Sequence, residues 1–431
     1  MTKKLKLNLL SGVTILPAVL CLVVAGSAQA TEGYFANGYG TASKGMAGVG
    51  TALALDTQSA MKNPASMVKL GNRVDGAVSF FSPLRSYRTR GENPAANFIA
   101  DPDAESASKL FIIPSFGVNF DQGDYSLGVT LSANGGMNTN YATTVFSGGT
   151  NGRTGIDLAQ LFLGATYAKK INDKHSFGIT PTVVAQRFKA TGLQGFGAIS
   201  SDPSKLTDNG YDYSYGYGLR LGYLGEFTDK ITVGAMAQSR MEMQKFDKYA
   251  GLFADKGDFD IPPTVSLGLT YKATSDLTIS TDIQRIFYSR VAAISNTLVN
   301  VTPFNQNAGG TRNSNSLGGS EGVGFGWNDL DIIKIGASYD YDDALTLRTG
   351  VSHNSSAFHS SETLFNILAP AVVDTHLSFG GTYKLTSNLM LNMAYTHAFD
   401  ANINGNNANH VEEINLSMTQ HDLEVGVSYL F

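Results

Sequence analysis

Stretch after stretch of this chain alternates apolar and polar residues with a period of two, and that pattern limits its fold more than any other property. The C-terminal stretch is the cleanest case. Leu423, Val425, Val427, Tyr429 and Phe431 share one face, and Asp422, Glu424, Gly426 and Ser428 share the other. A soluble sheet accounts for one such strand. A long series of them, with few large apolar residues on the second face, fits a barrel with lipid outside and a polar lumen. Fourteen strands are predicted, at roughly 73–90, 109–121, 124–140, 155–170, 174–190, 211–227, 230–245, 259–272, 276–290, 327–340, 344–356, 373–384, 388–400 and 420–431. The sixth carries Tyr211, Tyr213, Tyr215, Tyr217, Leu219, Leu221 and Tyr223 on one face.

The connections alternate in length. Tight turns fall at 121–123, 172–173, 228–230, 274–276, 342–343 and 386–388. Long loops span about 90–108, 141–154, 191–210, 246–258, 291–326, 357–372 and 401–419. Short periplasmic turns and long external loops are the usual asymmetry of outer-membrane barrels. With tight turns after the even strands, both ends of the barrel fall on the periplasmic side, as an even strand number requires. The final Phe431, preceded by alternating apolar residues, resembles the recognition signal of such barrels.

The first thirty residues read as a signal peptide. Lys3, Lys4 and Lys6 precede the apolar run Leu9 to Val24, and Ala28-Gln29-Ala30 is a small-x-small cleavage pattern. Cys21, the single cysteine, lies in this leader behind Leu20, which is too large for a lipoprotein site. The mature chain should therefore begin at Thr31. Intact mass of the outer-membrane form checks this, and a lipid on Cys21 would refute it. Without a cysteine, the mature chain has neither disulfides nor thiolate metal sites. With the three leader lysines gone, 28 of the 31 basic residues remain against all 36 acidic ones, a net charge near −8. That disfavours a nucleic-acid partner. Past Ala30 no apolar stretch approaches the ~20 residues of a transmembrane helix.

Residues 31–72 have little alternation and are rich in Gly and Ala, with the turn-like Asn63-Pro64-Ala65. A fourteen-strand barrel is too wide for its own side chains to fill. The sequence therefore predicts an all-β fold: a 14-stranded antiparallel transmembrane β-barrel over 73–431, with 31–72 as a hatch in its lumen.

Particular residues carry a resemblance. Gly45-Met46-Ala47-Gly48-Val49-Gly50-Thr51-Ala52, then Asp56, then Asn63-Pro64-Ala65-Ser66-Met67, resembles the hatch of the FadL/TodX (OMPP1) family of outer-membrane transporters of fatty acids and aromatic hydrocarbons. Asp260-Ile261-Pro262-Pro263 with Val265 to Tyr271 is similar to the family's eighth strand. Trp327-Asn328-Asp329, Lys334 to Tyr339 and Leu347 to Val351 are similar to its tenth and eleventh. The resemblance implies that ligand meets a greasy groove between external loops, passes to a pocket including the hatch, and leaves sideways at an inward kink of the third strand. Gly135-Gly136 in that strand permits a bend. Thr31-Glu32-Gly33-Tyr34-Phe35 is more aromatic than expected of fatty-acid members, which leaves fatty acid and aromatic hydrocarbon both open.

Candidate ligand contacts follow from these readings. Leu193, Phe196 and Ile199, then Tyr249, Leu252 and Phe253, then Leu364, Phe365, Ile367 and Leu368 are greasy clusters in loops, where exposed apolar patches mark binding and the other reading is loop-to-loop packing that closes the barrel mouth. By strand parity Arg220, Arg240, Lys334 and Arg348 point inward, where a cation could meet a carboxylate head group or pair with inward acids such as Glu242, Asp282 and Asp340. Lys334 is the preferred ligand contact. Enzymatic chemistry finds no support: His353, His359, His376, His397, His410 and His421 lack a catalytic or metal-ligand spacing. Gly318 to Gly326 lacks the Lys-Ser/Thr of a phosphate loop. No cofactor is implied. The expected partners are a hydrophobic small molecule, outer-membrane lipid and lipopolysaccharide, around a monomeric barrel in the Gram-negative outer membrane. A porin for polar solutes would have no use for the hatch. An adhesin or phage receptor would use loops 291–326 and 401–419.

Overall fold

A computed structural model describes residues 32–90, 99–146, 148–298, 314–406 and 413–431. The predicted leader, Thr31 and His410 lie outside the described residues. Fourteen long strands form the wall: β1 (Arg73–Arg90), β2 (Phe111–Asp121), β3 (Tyr125–Asn138), β4 (Gly155–Lys170), β5 (His175–Thr191), β6 (Asp212–Glu226), β7 (Ile231–Gln238), β8 (Thr264–Lys272), β9 (Leu277–Ile286), β10 (Leu330–Asp340), β11 (Leu345–Asn354), β12 (Thr375–Lys384), β13 (Leu389–Asn406) and β14 (Glu413–Leu430). Each pairs antiparallel with its neighbour. β1 pairs with β14 from Arg73↔Leu430 to Arg90↔Glu413, so the sheet closes on itself without an edge.

The two faces separate as the alternation predicts. Along β8, Val265, Leu267, Leu269 and Tyr271 are exposed on the outer face, and Thr264, Ser266 and Thr270 are buried on the inner one. With lipid as solvent, the outer apolar side chains lose nothing by exposure.

Several boundaries differ from the sequence reading. β13 and β14 run on through most of the expected loop 401–419, paired from Ala401↔Met418 to Asn406↔Glu413 beyond an irregularity at Ala398/Ala401. Conversely, β7 stops at Gln238 and β8 starts at Thr264. The residues between them, Met241, Phe246 and Phe259 included, turn in to a buried apolar core at the long-loop end.

Residues 32–70 lie inside the barrel, nearly all of them buried. They form two short helices, α1 (Thr41–Lys44) and α2 (Ser59–Lys62), and a 3-10 turn at Pro64–Lys69. The wall meets this segment with bare backbone. A Cβ on Gly178 would overlap Pro64, one on Gly222 would overlap Asn63, one on Gly234 would overlap Thr51, and one on Gly350 would overlap Met46. Inward glycines thus let the segment pack directly against the strands.

Candidate functional site

The lumenal segment is held by polar anchors spread around the wall. Asn63 accepts a hydrogen bond from the amide of Ala65, capping the 3-10 turn, and its Nδ2 donates to the carbonyls of Thr51 (2.7 Å) and Tyr223 (2.8 Å). The hydroxyl of Ser176 on β5 donates to the Ala65 carbonyl. Asp282, inward on β9, accepts from the amides of Gly50 and Thr51 at 3.0 Å each and from the Thr51 hydroxyl. Lys44 forms ion pairs with Asp422 (2.8 Å) and Glu424 (2.7 Å) of β14. Lys334 of β10 forms a fully buried ion pair with Glu32 and donates to the Asn37 carbonyl. Glu32, Asp282, Asp422 and Glu424 were not legible as anchors from their spacing.

The preferred ligand cation is therefore already matched by a carboxylate of the same chain. Of the other predicted cations, Arg240 lies beyond the end of β7, half-exposed, and pairs with Asp260 at 3.3 Å. The strand was expected to continue to residue 245 and ends at Gln238, so strand parity does not set the direction of Arg240. Glu242 is exposed and stands opposite the outward Tyr217, whereas Asp340 keeps the inward parity of Lys334 but is exposed at the short-turn end of β10. Arg348 donates to Thr382. Arg220 is buried, stacks over the Phe162 ring at 4.9 Å, and donates to Gln238 and Thr182. Among the described residues no carboxylate forms an ion pair with it.

Burial shifts the anchoring groups of the segment. It pushes the Glu32 carboxyl up, against the pull of Lys334. Burial first, and then the Asp75 carboxylate, push Asp56 up to about 7. Burial first, and then Lys334, bring Lys62 down to about 8. A carboxyl raised from 3.8 to about 7 in the folded state contributes stability that is complete below 3.8 and lost as the pH climbs through about 7. Docking of the segment should therefore be tighter at pH 5 than at pH 8 in the contribution of Asp56. Spontaneous channel openings in planar bilayers should be rarer at pH 5, and Asp56→Asn should shrink the difference.

The wall is interrupted beside the segment. The β2–β3 ladder ends at Phe116↔Leu131, while β3 continues to Asn138 paired with β4 alone. The other side of β2, from Phe111 to Ser115, pairs with β1. Above the break the amide of Ala107 donates to the Asn140 carbonyl, which closes the wall again. Between these limits Phe111–Ser115 and Ser132–Asn138 face each other unpaired. Gly135 and Gly136 lie here, next to a bulge between Ala133 and Gly135, with Gly135 at φ 149°. The inner segment takes up the bonding that β2 leaves: Ala36 donates its amide to the Asn134 carbonyl at 2.7 Å, and Phe35 bridges to Gly135. Phe81, Phe111 and Ile113 pack at the break with Ala133.

The loop residues take the loop-on-loop packing that is one of the two readings of their sequence. Leu193, Phe196, Tyr249, Leu252 and Phe253 are buried, not exposed, and so are Leu364, Phe365, Ile367 and Leu368. They pack on one another and on the wall. Phe253 contacts Phe188 and Phe259, and Phe196 contacts Phe146 and Phe365, all with ring centroids under 5 Å. A loop sequence does not show what lies over it, and here the loops cover each other. This cap reaches down to the inner segment, where Tyr34 packs against Phe259, Tyr288 and Trp327. The apolar core therefore runs from the long loops to the break in the wall. It is tightly closed: the void among Phe188, Leu252, Phe253 and Phe365, and the one among Arg85, Met137 and Trp327, each hold about 10 Å³.

The sequence profile of outer membrane protein transport proteins (OMPP1/FadL/TodX) matches residues 21–429. A 47 kDa outer membrane protein of Pasteurella multocida is 25% identical over 89% of this chain and 90% of its own. A long-chain fatty acid transport protein of Salmonella typhi is 25% identical over 65% of this chain and 68% of its own. The toluene transporter TodX of P. putida shares the fold with a TM-score of 0.67 at 18% identity, over 92% of this chain and 99% of its own. A FadL homologue of Pseudomonas aeruginosa does so with a TM-score of 0.67 at 14% identity, over the same shares.

Proposed function

The chain belongs to the OMPP1/FadL/TodX family of outer membrane transport proteins, and from that premise we propose that it passively carries long-chain fatty acids through the outer membrane and releases them sideways into it. In this reading the barrel acts as a monomer, without catalysis and without a cofactor. Residues 31–72 act as the hatch, and the β2–β3 break is the exit. The observation that carries the proposal is that break: a stretch of wall where β2 and β3 are unpaired, backed by Phe35 and Ala36, at which the apolar core meets the wall. A polar solute gains nothing from a greasy path to lipid, whereas a hydrophobic one leaves water along its whole length.

Arg220 favours an anionic amphiphile. A buried guanidinium without a carboxylate is costly unless a ligand supplies one. Arg220→Gln should weaken binding of a labelled fatty acid roughly ten- to hundredfold, the loss of one charge-assisted hydrogen bond. Binding of an alkylbenzene should be unchanged. Equal fatty-acid binding by the variant would overturn the assignment of substrate, though not of transport. The second reading, an aromatic hydrocarbon, is favoured by the ring cluster of Tyr34, Phe35, Phe259, Tyr288 and Trp327. Mass spectrometry of ligand co-extracted with the purified protein separates the two.

A further inference from the structure

A basic pocket lies on the outside of the barrel, at the rim where the long loops begin. It measures about 180 Å³ and is lined by Ser108, Asn138, Asn140, Arg153, Asp157 and Lys189, among others. The register explains the grouping. Asn138 of β3 stands opposite Asp157 of β4, which stands opposite Lys189 of β5, so the three side chains form one row on one face. That face is the outer one. Down the same face of β5 run Phe177, Ile179, Pro181, Val183 and Ala185, of which Phe177 and Val183 are exposed.

Height can be read from the same strand. Phe177 to Ala185 spans about 20 Å of barrel axis, at about 3.3 Å per residue and a tilt near 40°, against an apolar band about 25 Å tall. Arg187 and Lys189 come next and mark the level of the head groups. Tyr211, Tyr213, Tyr215 and Tyr217 on the neighbouring β6 form the aromatic girdle of that rim. The end is the external one, since the long loops leave from it.

The charges are unbalanced. Arg187 pairs with Asp157 at 3.6 Å and stacks on the Tyr211 ring, and Lys189 stacks on the same ring at 4.8 Å. Arg153 donates to Asn140. Among the described residues no carboxylate forms an ion pair with Arg153 or Lys189, so three cations surround one acid. The Asp157 carboxylate accepts from the Tyr211 hydroxyl with one oxygen, and its other oxygen is buried without a partner.

We propose that this pocket holds the phosphorylated glucosamine head group of lipopolysaccharide. The phosphate meets Arg153 and Lys189. The free Asp157 oxygen accepts a hydroxyl or amide N–H of the sugar. The acyl chains lie down the Phe177–Ala185 wall. The site rests on the outer-membrane location alone and not on the identity of the transported compound. Because Asn138 and Asn140 bound both this pocket and the β2–β3 break, the bound lipid sits on the upper margin of the opening.

The test is a titration of the purified full-length protein with diphosphoryl lipid A in detergent, read by native mass spectrometry. Binding should saturate at one molecule of this class. Arg153→Gln/Lys189→Gln should weaken it by roughly thirtyfold, the effect of two cations near a lipid phosphate. Dephosphorylated lipid A should bind as poorly to the native protein as the phosphorylated form binds to the variant. Equal binding by native protein and variant would overturn the proposal. So would equal binding of lipid A with and without its phosphates. Displacement by an equimolar amount of inorganic phosphate would also overturn it, by assigning the pocket to a free anion. The heat-modifiable gel shift of the double variant should be native, since both side chains lie at the solvent rim.

Discussion

A barrel lacking residues 31–72 is expected to conduct ions as an open pore, where the complete chain conducts little. Fourteen strands enclose more space than their own side chains fill. Here the inner wall is further emptied by Gly178, Gly222, Gly234 and Gly350, whose missing side chains are replaced by the segment itself. Removal also takes Tyr34 and Phe35 out of the aromatic packing that closes the external mouth, so the cap loosens together with the lumen. Single-channel conductance in planar bilayers is the measurement. Should the deleted chain fail to assemble, Gly222→Val with Gly234→Val gives the same answer by a different route. Both side chains would collide with the backbone and the Asn63 side chain of the docked segment, and must expel it. Unchanged conductance in an assembled form of either variant would contradict the plug.

The second large effect concerns the exit. Replacing Gly135 and Gly136 with valine should lower uptake of labelled fatty acid while leaving assembly intact. Gly135 has φ 149°, in the region that a β-branched residue avoids. Valine favours a straight, continuously paired strand. A straightened β3 would lose the bulge at Ala133/Gly135 and bring Ser132–Asn138 into register with Phe111–Ser115, sealing the opening. Strain of the usual size for a misplaced backbone angle corresponds to a roughly ten- to hundredfold drop in the open form. Uptake in cells without other such transporters reports it, with heat-modifiable gel mobility as the control. Undiminished uptake by a correctly assembled double variant would refute this exit and leave transport itself standing. A solute moving along the axis would be indifferent to the change.

The wall was legible because lipid and lumen impose opposite polarity on neighbouring residues, a demand the sequence repeats at each strand. Legibility fails where that demand ends. In the upper parts of β13 and β14 the greasy side chains Ile403, Ile414, Leu416 and Met418 face inward to the cap, and Asn402, Asn404, Asn415 and Ser417 face outward. The alternation persists there with its sense reversed, and the polar content reads as loop. The site was harder. Parity placed Lys334 and Arg220 on the inner face correctly, but the partner of Lys334 is Glu32, at the far end of the sequence. The paired glycines of β3 were visible. The bulge beside them, and Ala36 bonded to Asn134, are products of the third dimension.

The ion pairs of Lys44 reach to Asp422 and Glu424 on β14, and Arg73 at the start of β1 donates to Ser428 on that same strand. The inner segment and the first and last strands of the wall therefore meet at the seam where β1 joins β14. Until that seam forms, Lys44 has neither of its carboxylates, and a half-built barrel holds a cation with nothing to neutralise it. Closure of the wall and anchoring of the inner segment thus share one strand, which supplies both the last ladder and the two carboxylates of Lys44.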